Sequence, residues 1–303
     1  MAKIFFHCGA HKTASTHLQY NLKLNREYLE QKGIAYFRFH EIKGMRQKAV
    51  ELRENFNQSS YHLNQTIDYL KSSINNEIKD YDYVIVSYEG AFGDIYLQRQ
   101  KAIYPEVREL IEIYGQIFQH HEVTPIYVTR NYMDFILSSY KMGVNFKGFP
   151  FSLSQYAKEI QVKENCWTNI IESLSETFTT PIVWTYENYK GEAPKILYEL
   201  LRKIKGSSIN FEALEFSSER KNSGQGPKML AFHYTVNKLF KKSRYLDGIK
   251  IRINDYFDED KIFFKGLLKN PIDGQFQKRN KASENYDFEI ESLKENKQCI
   301  FID

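Results

Sequence analysis

The run CGAHKTASTHLQ, Cys8–Gln19, follows the apolar stretch KIFFHC and places Gly9, His11, Lys12, Thr13, Ala14, Ser15 and Thr16 in succession. Residues of these types in this order can hold an anion. If KIFFHC is a buried strand and the chain from Ser15 is a helix, with Leu18 and Leu22 on its inner face, the turn at Gly9 leaves the first backbone N–H groups of that helix unpaired. They and the positive helix end then aim at one point. Lys12 adds a mobile charge, and the hydroxyls of Thr13, Ser15 and Thr16 add short hydrogen bonds. The competing reading is an ordinary helix capped by Thr13 or Ser15, which leaves a lysine among small residues without a reason. The segment also departs from G-x-x-x-x-G-K-[ST], because two residues separate Gly9 from Lys12 and no glycine precedes the lysine. That disfavours an ordinary ATPase or GTPase.

Other segments carry further chemistry. In IYVTRNYMDFILSSY an arginine, Arg130, ends an apolar run, and Ser138 follows eight residues later. Eight residues span little more than two helical turns, so the serine can face back toward the arginine if the chain between them bends. In VIVSYEG, Glu89 comes directly after an apolar run, where a carboxylate can accept a proton or serve as a helix cap or salt-bridge partner. His7, His11 and His17 are rival bases, although His7 is expected to pack within its strand and His17 on its helix. In WTYENY, Tyr186 offers a ring on which a base can stack or which can fill a core. SSERKNSGQGPK is a polar loop with Arg220, Asn222 and Ser223 as candidate donors.

The segment HCGAHKTASTHLQ resembles the 5'-phosphosulfate loop of sulfotransferases that use 3'-phosphoadenosine 5'-phosphosulfate (PAPS), whose usual form is lysine-threonine-glycine-threonine-threonine. Ala14 stands where glycine is commoner, a change of little cost if that position is helical. Arg130 with Ser138 resembles the family's 3'-phosphate site. Tyr186 resembles the tyrosine near the adenine, and Arg220, Asn222 and Ser223 resemble the late loop that closes over the 3'-phosphate, with Asn222 where a glycine is expected. Glu89 resembles the general base of glycan-type members; cytosolic members place a histidine in that region. The resemblance implies PAPS as co-substrate and PAP as product, with no metal. It implies His11 and Lys12–Thr16 around the 5'-phosphate, Lys12 stabilising the leaving group and Glu89 taking the acceptor's proton. The acceptor would be a hydroxyl or amine of a glycan or small polar metabolite. A kinase-like phosphotransferase, or a binding module without catalysis, remains as the alternative.

These residues need a scaffold. KIFFHC, GIAYF after Gly33, YVIVS from Tyr83, TPIYVT from Thr124 and TPIVWTY from Thr180 read as five strands separated by helical patterns. Nearly continuous apolar strands alternating with helices indicate an α/β three-layer sandwich with a central parallel sheet, in which ligands bind beyond the carboxyl ends of the strands. The resemblance specifies its P-loop NTPase-like form. From Met229, the positions Met229, Phe232, Val236, Leu239 and Phe240 repeat at helical spacing, giving a largely helical region over about 229–303 after a core of about 1–228, all in one domain. GIKIRI from Gly248 alternates like a short strand. The cluster Lys238, Lys241, Lys242 and Arg244 reads as a solvated face or a partner surface.

Composition narrows the classes. Of 303 residues, 42 are basic and 38 acidic, a net charge of +4 that suits a small anionic ligand and not a nucleic acid. No apolar run reaches the length of a membrane span, and no signal-peptide pattern opens the sequence, so the expected location is the cytoplasm. Cys8, Cys166 and Cys299 are widely spaced and read as free thiols, not metal ligands. A homodimer stays open.

Overall fold

The computed structural model describes residues 1–55, 60–97, 102–158, 160, 166–218, 226–240, 271–272, 281–295 and 298–303. Six strands, β1 (Lys3–His7), β2 (Ile34–Arg38), β3 (Tyr83–Ser87), β4 (Glu122–Thr129), β5 (Ile182–Thr185) and β6 (Ile300–Phe301), pair in parallel in the order β2-β3-β1-β4-β5-β6. Alternation along each strand feeds two cores. Phe5, Ile85, Ile126, Val128 and Trp184 face one way and meet α1 (Ser15–Leu24), α2 (Arg26–Gln31) and α9 (Tyr186–Lys205). Ile4, Phe6, Val84, Val86 and Tyr127 face the other. There they pack under α3 (Met45–Asn55), α4 (Ser60–Ile78), α5 (Val107–Ile117), α6 (Tyr132–Phe146), α7 (Leu153–Lys158) and α8 (Trp167–Thr177). Helix, sheet and helix make three layers, and burial on both faces explains why the strands lack polar alternation.

The register sets the edge that matters for function. His7, the last residue of β1, lies opposite Ser87 of β3 and Ile126 of β4, and Arg38 of β2 also lies opposite Ser87. Thr129 lies opposite Thr185. The ends of β2, β3, β1, β4 and β5 therefore open onto one edge.

The described part of the carboxyl-terminal region is largely helical, as expected, with α10 (Pro227–Phe240) and α11 (Lys281–Glu295); the chain then returns to the sheet, where β6 extends it beside β5. On α10 Met229 is buried as anticipated, but the rest of the buried face is not the anticipated one. Met229, Leu230, His233, Tyr234 and Asn237 are inward, whereas Leu239 is 70% exposed. The reason is polar: the end of α6 leaves carbonyls without intrahelical partners, and Asn237 Nδ2 donates to Val144 O at 2.8 Å and Phe149 O at 3.2 Å. His233 pairs with Asn145 at 3.1 Å. GIKIRI and residues 241–244 of the basic cluster lie outside the described residues. Among the described residues, no helix is long and apolar enough to cross a membrane.

Candidate active site

Beyond His7 the chain continues along β4, with Cys8 N–H donating to Ile126 O at 3.1 Å and Ala10 N–H to Val128 O at 3.4 Å. Gly9 is required there because a Cβ would lie 2.9 Å from the Val128 backbone nitrogen. The loop then turns through Lys12 and Ala14, both in the left-handed region at φ 64°. Thr13 between them is not. This alternation is the geometry of an anion-binding nest. Among the described residues, no backbone N–H from Lys12 to Thr16 meets a protein acceptor; the intrahelical bonds begin with His17 N and Leu18 N, both on Ala14 O. Neither rival cap operates. Ala14 occupies the N-cap position of α1, and Thr13 Oγ1 donates to Ala10 O at 2.6 Å, bracing the loop. Ser15 is buried and Thr16 exposed.

Ala14 corrects one expectation. Its position is not helical, so alanine is not the better residue there but carries the penalty of a Cβ in the left-handed region, about 1–2 kcal/mol. The same geometry explains why glycine suits this place.

Glu89 lies in the turn after β3, half-buried. Its carboxylate is near enough to Lys12 and His11 to favour the protonated form of each. Burial outweighs it in both. Lys12 is held below its ordinary pKa by burial and then by the Arg130 charge. His11 is lowered by burial, with Arg53 and Lys12 adding to the effect. Its backbone N–H donates to the Tyr104 hydroxyl at 2.9 Å, and its Nδ1 pairs with that hydroxyl at 2.8 Å. His7 is indeed packed within the strand. It is fully buried, its Nδ1 pairs with Ser87 at 2.7 Å, and burial lowers its pKa to about 4, so it is neutral near pH 7. His17 is likewise engaged on its helix, with Tyr189 and Ser217 O as partners.

Arg130 follows β4 and bridges two parts of the edge. Its Nη1 donates to Lys12 O at 2.5 Å, and its guanidinium lies 4.2 Å from the centre of the Tyr186 ring, in a cation–π contact. Its carbonyl accepts from Trp167 Nε1 at 2.8 Å. Its Nε is buried, with no hydrogen-bond partner among the described residues. Beside it, Glu187 accepts from Asn131 N at 3.0 Å and from the Tyr286 hydroxyl at 2.9 Å. Glu289, one turn along α11, accepts from Tyr132 at 2.6 Å and from Thr168 N at 2.6 Å. Ser138 sits half-buried six residues into α6, about 9 Å along its axis; no hydrogen bond joins it to Arg130 among the described residues. Its neighbour Ser139 is the buried one, bonded to Ile95 O and Tyr156.

The fold thus brings His11, Lys12–Thr16, Glu89, Arg130 and Tyr186 to one edge, while Arg220, Asn222 and Ser223 lie outside the described residues. Tyr104, Asp94 and Tyr286 belong to this edge and are not legible as site residues in the sequence, whereas Glu187 completes the tyrosine-glutamate pair of WTYENY. One sign of Tyr104 exists: Gly93, at φ 152°, has no room for a Cβ, which would lie 2.6 Å from the Tyr104 ring. Two features fit a ligand with separate phosphate groups. Among the described residues, the N–H groups beside Lys12 and the Nε of the Arg130 guanidinium have no partner. Among the described residues, no group of three or more His, Cys, Asp or Glu side chains converges as a metal site does.

The fold is that of a parallel α/β protein whose strand ends present a nest, two cations and a carboxylate at one edge. No family model and no curated protein matches the chain. Among solved structures it is similar to a sulfotransferase from Alicyclobacillus acidocaldarius, with 10% identity, a TM-score of 0.41 and coverage of 84% of this chain and 96% of that one. A likeness so slight says nothing of what this chain binds.

Proposed function

We propose that this protein is a sulfotransferase that moves a sulfuryl group from PAPS to a hydroxyl or amine of a glycan or small polar metabolite. The observation that carries the reading is the nest at Lys12–Thr16, braced by Arg130 and facing Glu89. The bound donor supplies an activated sulfur whose link to phosphate breaks as the acceptor atom bonds to it. The chain's own residues align and stabilise. The N–H groups from Lys12 to Thr16 hold the 5'-phosphate, and the Lys12 ammonium offsets the charge that grows on the leaving oxygen. A phosphate there raises the proton affinity of Lys12, restoring the charge that burial and Arg130 disfavour. Arg130 takes the 3'-phosphate, with Tyr186 supporting its guanidinium and bordering the adenine. Glu89 accepts the proton that the acceptor loses, and His11, neutral at ordinary pH, is the alternative acceptor of that proton. The proposal includes action as a single domain in the cytoplasm.

The test is Glu89→Gln, which keeps the shape and removes the proton acceptor. Turnover with PAPS, followed by PAP release over a panel of acceptors, should fall about 10²–10⁴-fold while PAP affinity and melting temperature stay near those of the parent. Near-normal turnover would remove Glu89 from this role and put His11 next. Absence of PAP binding to the parent would overturn the whole reading.

A further inference from the structure

A groove lies beside the end of β2. Its volume is about 630 Å³, within the range of ligand pockets, and His40, Ile42, Lys43, Arg46, Gln47 and Val50 line it. Lys43 and Arg46 are cations at its rim. Glu51, also at the groove, already accepts from Lys48 Nζ, and Glu41 is tied to Arg26 and Arg38. Among the described residues, His40, Lys43 and Arg46 form no ion pair with a carboxylate, and all three are exposed.

The groove adjoins the reacting edge. β2 is hydrogen-bonded to β3, and just past their ends the rings of Phe39 and Tyr88 stack at 4.5 Å with a 12° interplanar angle. His40 of the groove and Glu89 are each the next residue along from that pair. The Arg46 charge acts on both His40 and the Tyr88 hydroxyl. Arg53, two turns along the same face of α3 and about 10 Å away along its axis, acts on Tyr88 and on His11, and its Nη1 donates to Gly93 O at 3.1 Å. Arg46 and Arg53 thus stand between the groove and the nest, both acting on the Tyr88 hydroxyl. The groove is two strand spacings from β1, about 10 Å, so a ligand reaching both must be longer than one sugar ring.

We propose that this groove is the acceptor subsite and that it takes an anionic group, a carboxylate or sulfate, on the molecule whose hydroxyl meets Glu89. The inference rests on the sulfotransferase reading above. It makes the acceptor an acidic oligosaccharide or an acidic metabolite of similar length, in place of a neutral one. Lys43 and Arg46 hold the anionic group, and the Phe39–Tyr88 pair sets the distance between it and Glu89.

Calorimetry on the full chain at low salt tests this with three probes: a sulfated, glucuronate-containing tetrasaccharide, its desulfated and carboxyl-reduced counterpart, and PAP. The acidic tetrasaccharide should bind at least about tenfold tighter than the neutral one, a difference of about 1.4 kcal/mol. Lys43→Ala with Arg46→Ala should remove that preference, as should the shape-conserving Lys43→Gln with Arg46→Gln. Arg202→Ala with Lys203→Ala, an equal loss of two charges on α9, should leave it intact. All variants should bind PAP like the parent, and with PAPS present the KM for the acidic acceptor should rise in the same ratio as its dissociation constant. Equal binding of both tetrasaccharides, or an equal loss in the α9 variant, would overturn the inference while normal PAP binding left the nucleotide reading standing. Arg46-dependent tetrasaccharide binding without PAP binding would overturn the sulfotransferase reading and, with it, the groove's role as an acceptor subsite.

Discussion

Between Gly9 and Thr16 each group offered to an anion comes from one stretch of chain, and most are backbone N–H groups fixed by two left-handed residues. Around Arg130, one side chain is set by residues from four other places: the Lys12 carbonyl, the Tyr186 ring, the Trp167 indole and, through Glu187 and Asn131, the Tyr286 hydroxyl of α11. The first region needs only a strand, a glycine and a helix in sequence. The second exists only when β4, α8, α9 and α11 have already packed. A contiguous anion site therefore depends on local conformation, and an assembled one on the whole edge.

The sharpest way to break this contrast is Arg130→Lys. Lysine keeps a charge but cannot copy the guanidinium fork, so PAP affinity should fall about 100-fold, the loss of a charged contact worth about 3 kcal/mol. Adenosine 5'-phosphosulfate, which lacks the 3'-phosphate, should lose less than about fivefold. Equal losses for both ligands by calorimetry would make Arg130 a brace of the nest through Lys12 O and not a phosphate clamp.

Gly9→Ala addresses the contiguous region. A Cβ against the Val128 backbone nitrogen forces β1 and β4 apart at their ends, and stability in urea should drop by about 2 kcal/mol with PAP affinity falling alongside. An unchanged midpoint would mean that the close approach is not needed.

Tyr286→Phe addresses the assembled region from its far end. It takes one donor from Glu187, so stability should fall by about 1 kcal/mol, with any PAP loss inside about fivefold. A loss as large as that of Arg130→Lys would show that α11 controls the arginine far more tightly than one hydrogen bond allows.

The smallest effect is Ala14→Gly. Relief of the left-handed Cβ, about 1–2 kcal/mol, is partly offset by the greater freedom of glycine in the unfolded chain, about 0.4–1 kcal/mol. The net should be a stabilisation of about 0.5 kcal/mol, read as a raised urea midpoint. A destabilised variant would contradict the left-handed turn.

The five early strands and the helix after Gly9 were determined by the sequence alone, because apolar continuity and a glycine followed by hydroxyls are local signals. So was the order of Lys12, Glu89, Arg130 and Tyr186 after strands β1, β3, β4 and β5, since parallel strands put their carboxyl ends at one edge. The buried face of α10 was not legible. His233 and Asn237 face inward to satisfy groups near the end of α6, partners about 90 residues earlier that no helical periodicity records. The conformation of Ala14 was not legible, because residue type does not reveal a left-handed dihedral. The places of Tyr104 beside His11 and Tyr286 beside Glu187, and the return of Ile300–Phe301 to the sheet, were decided by the tertiary structure alone. Each depends on a hydrogen bond between segments far apart in the chain, whose partners become neighbours only after the sheet has set its order.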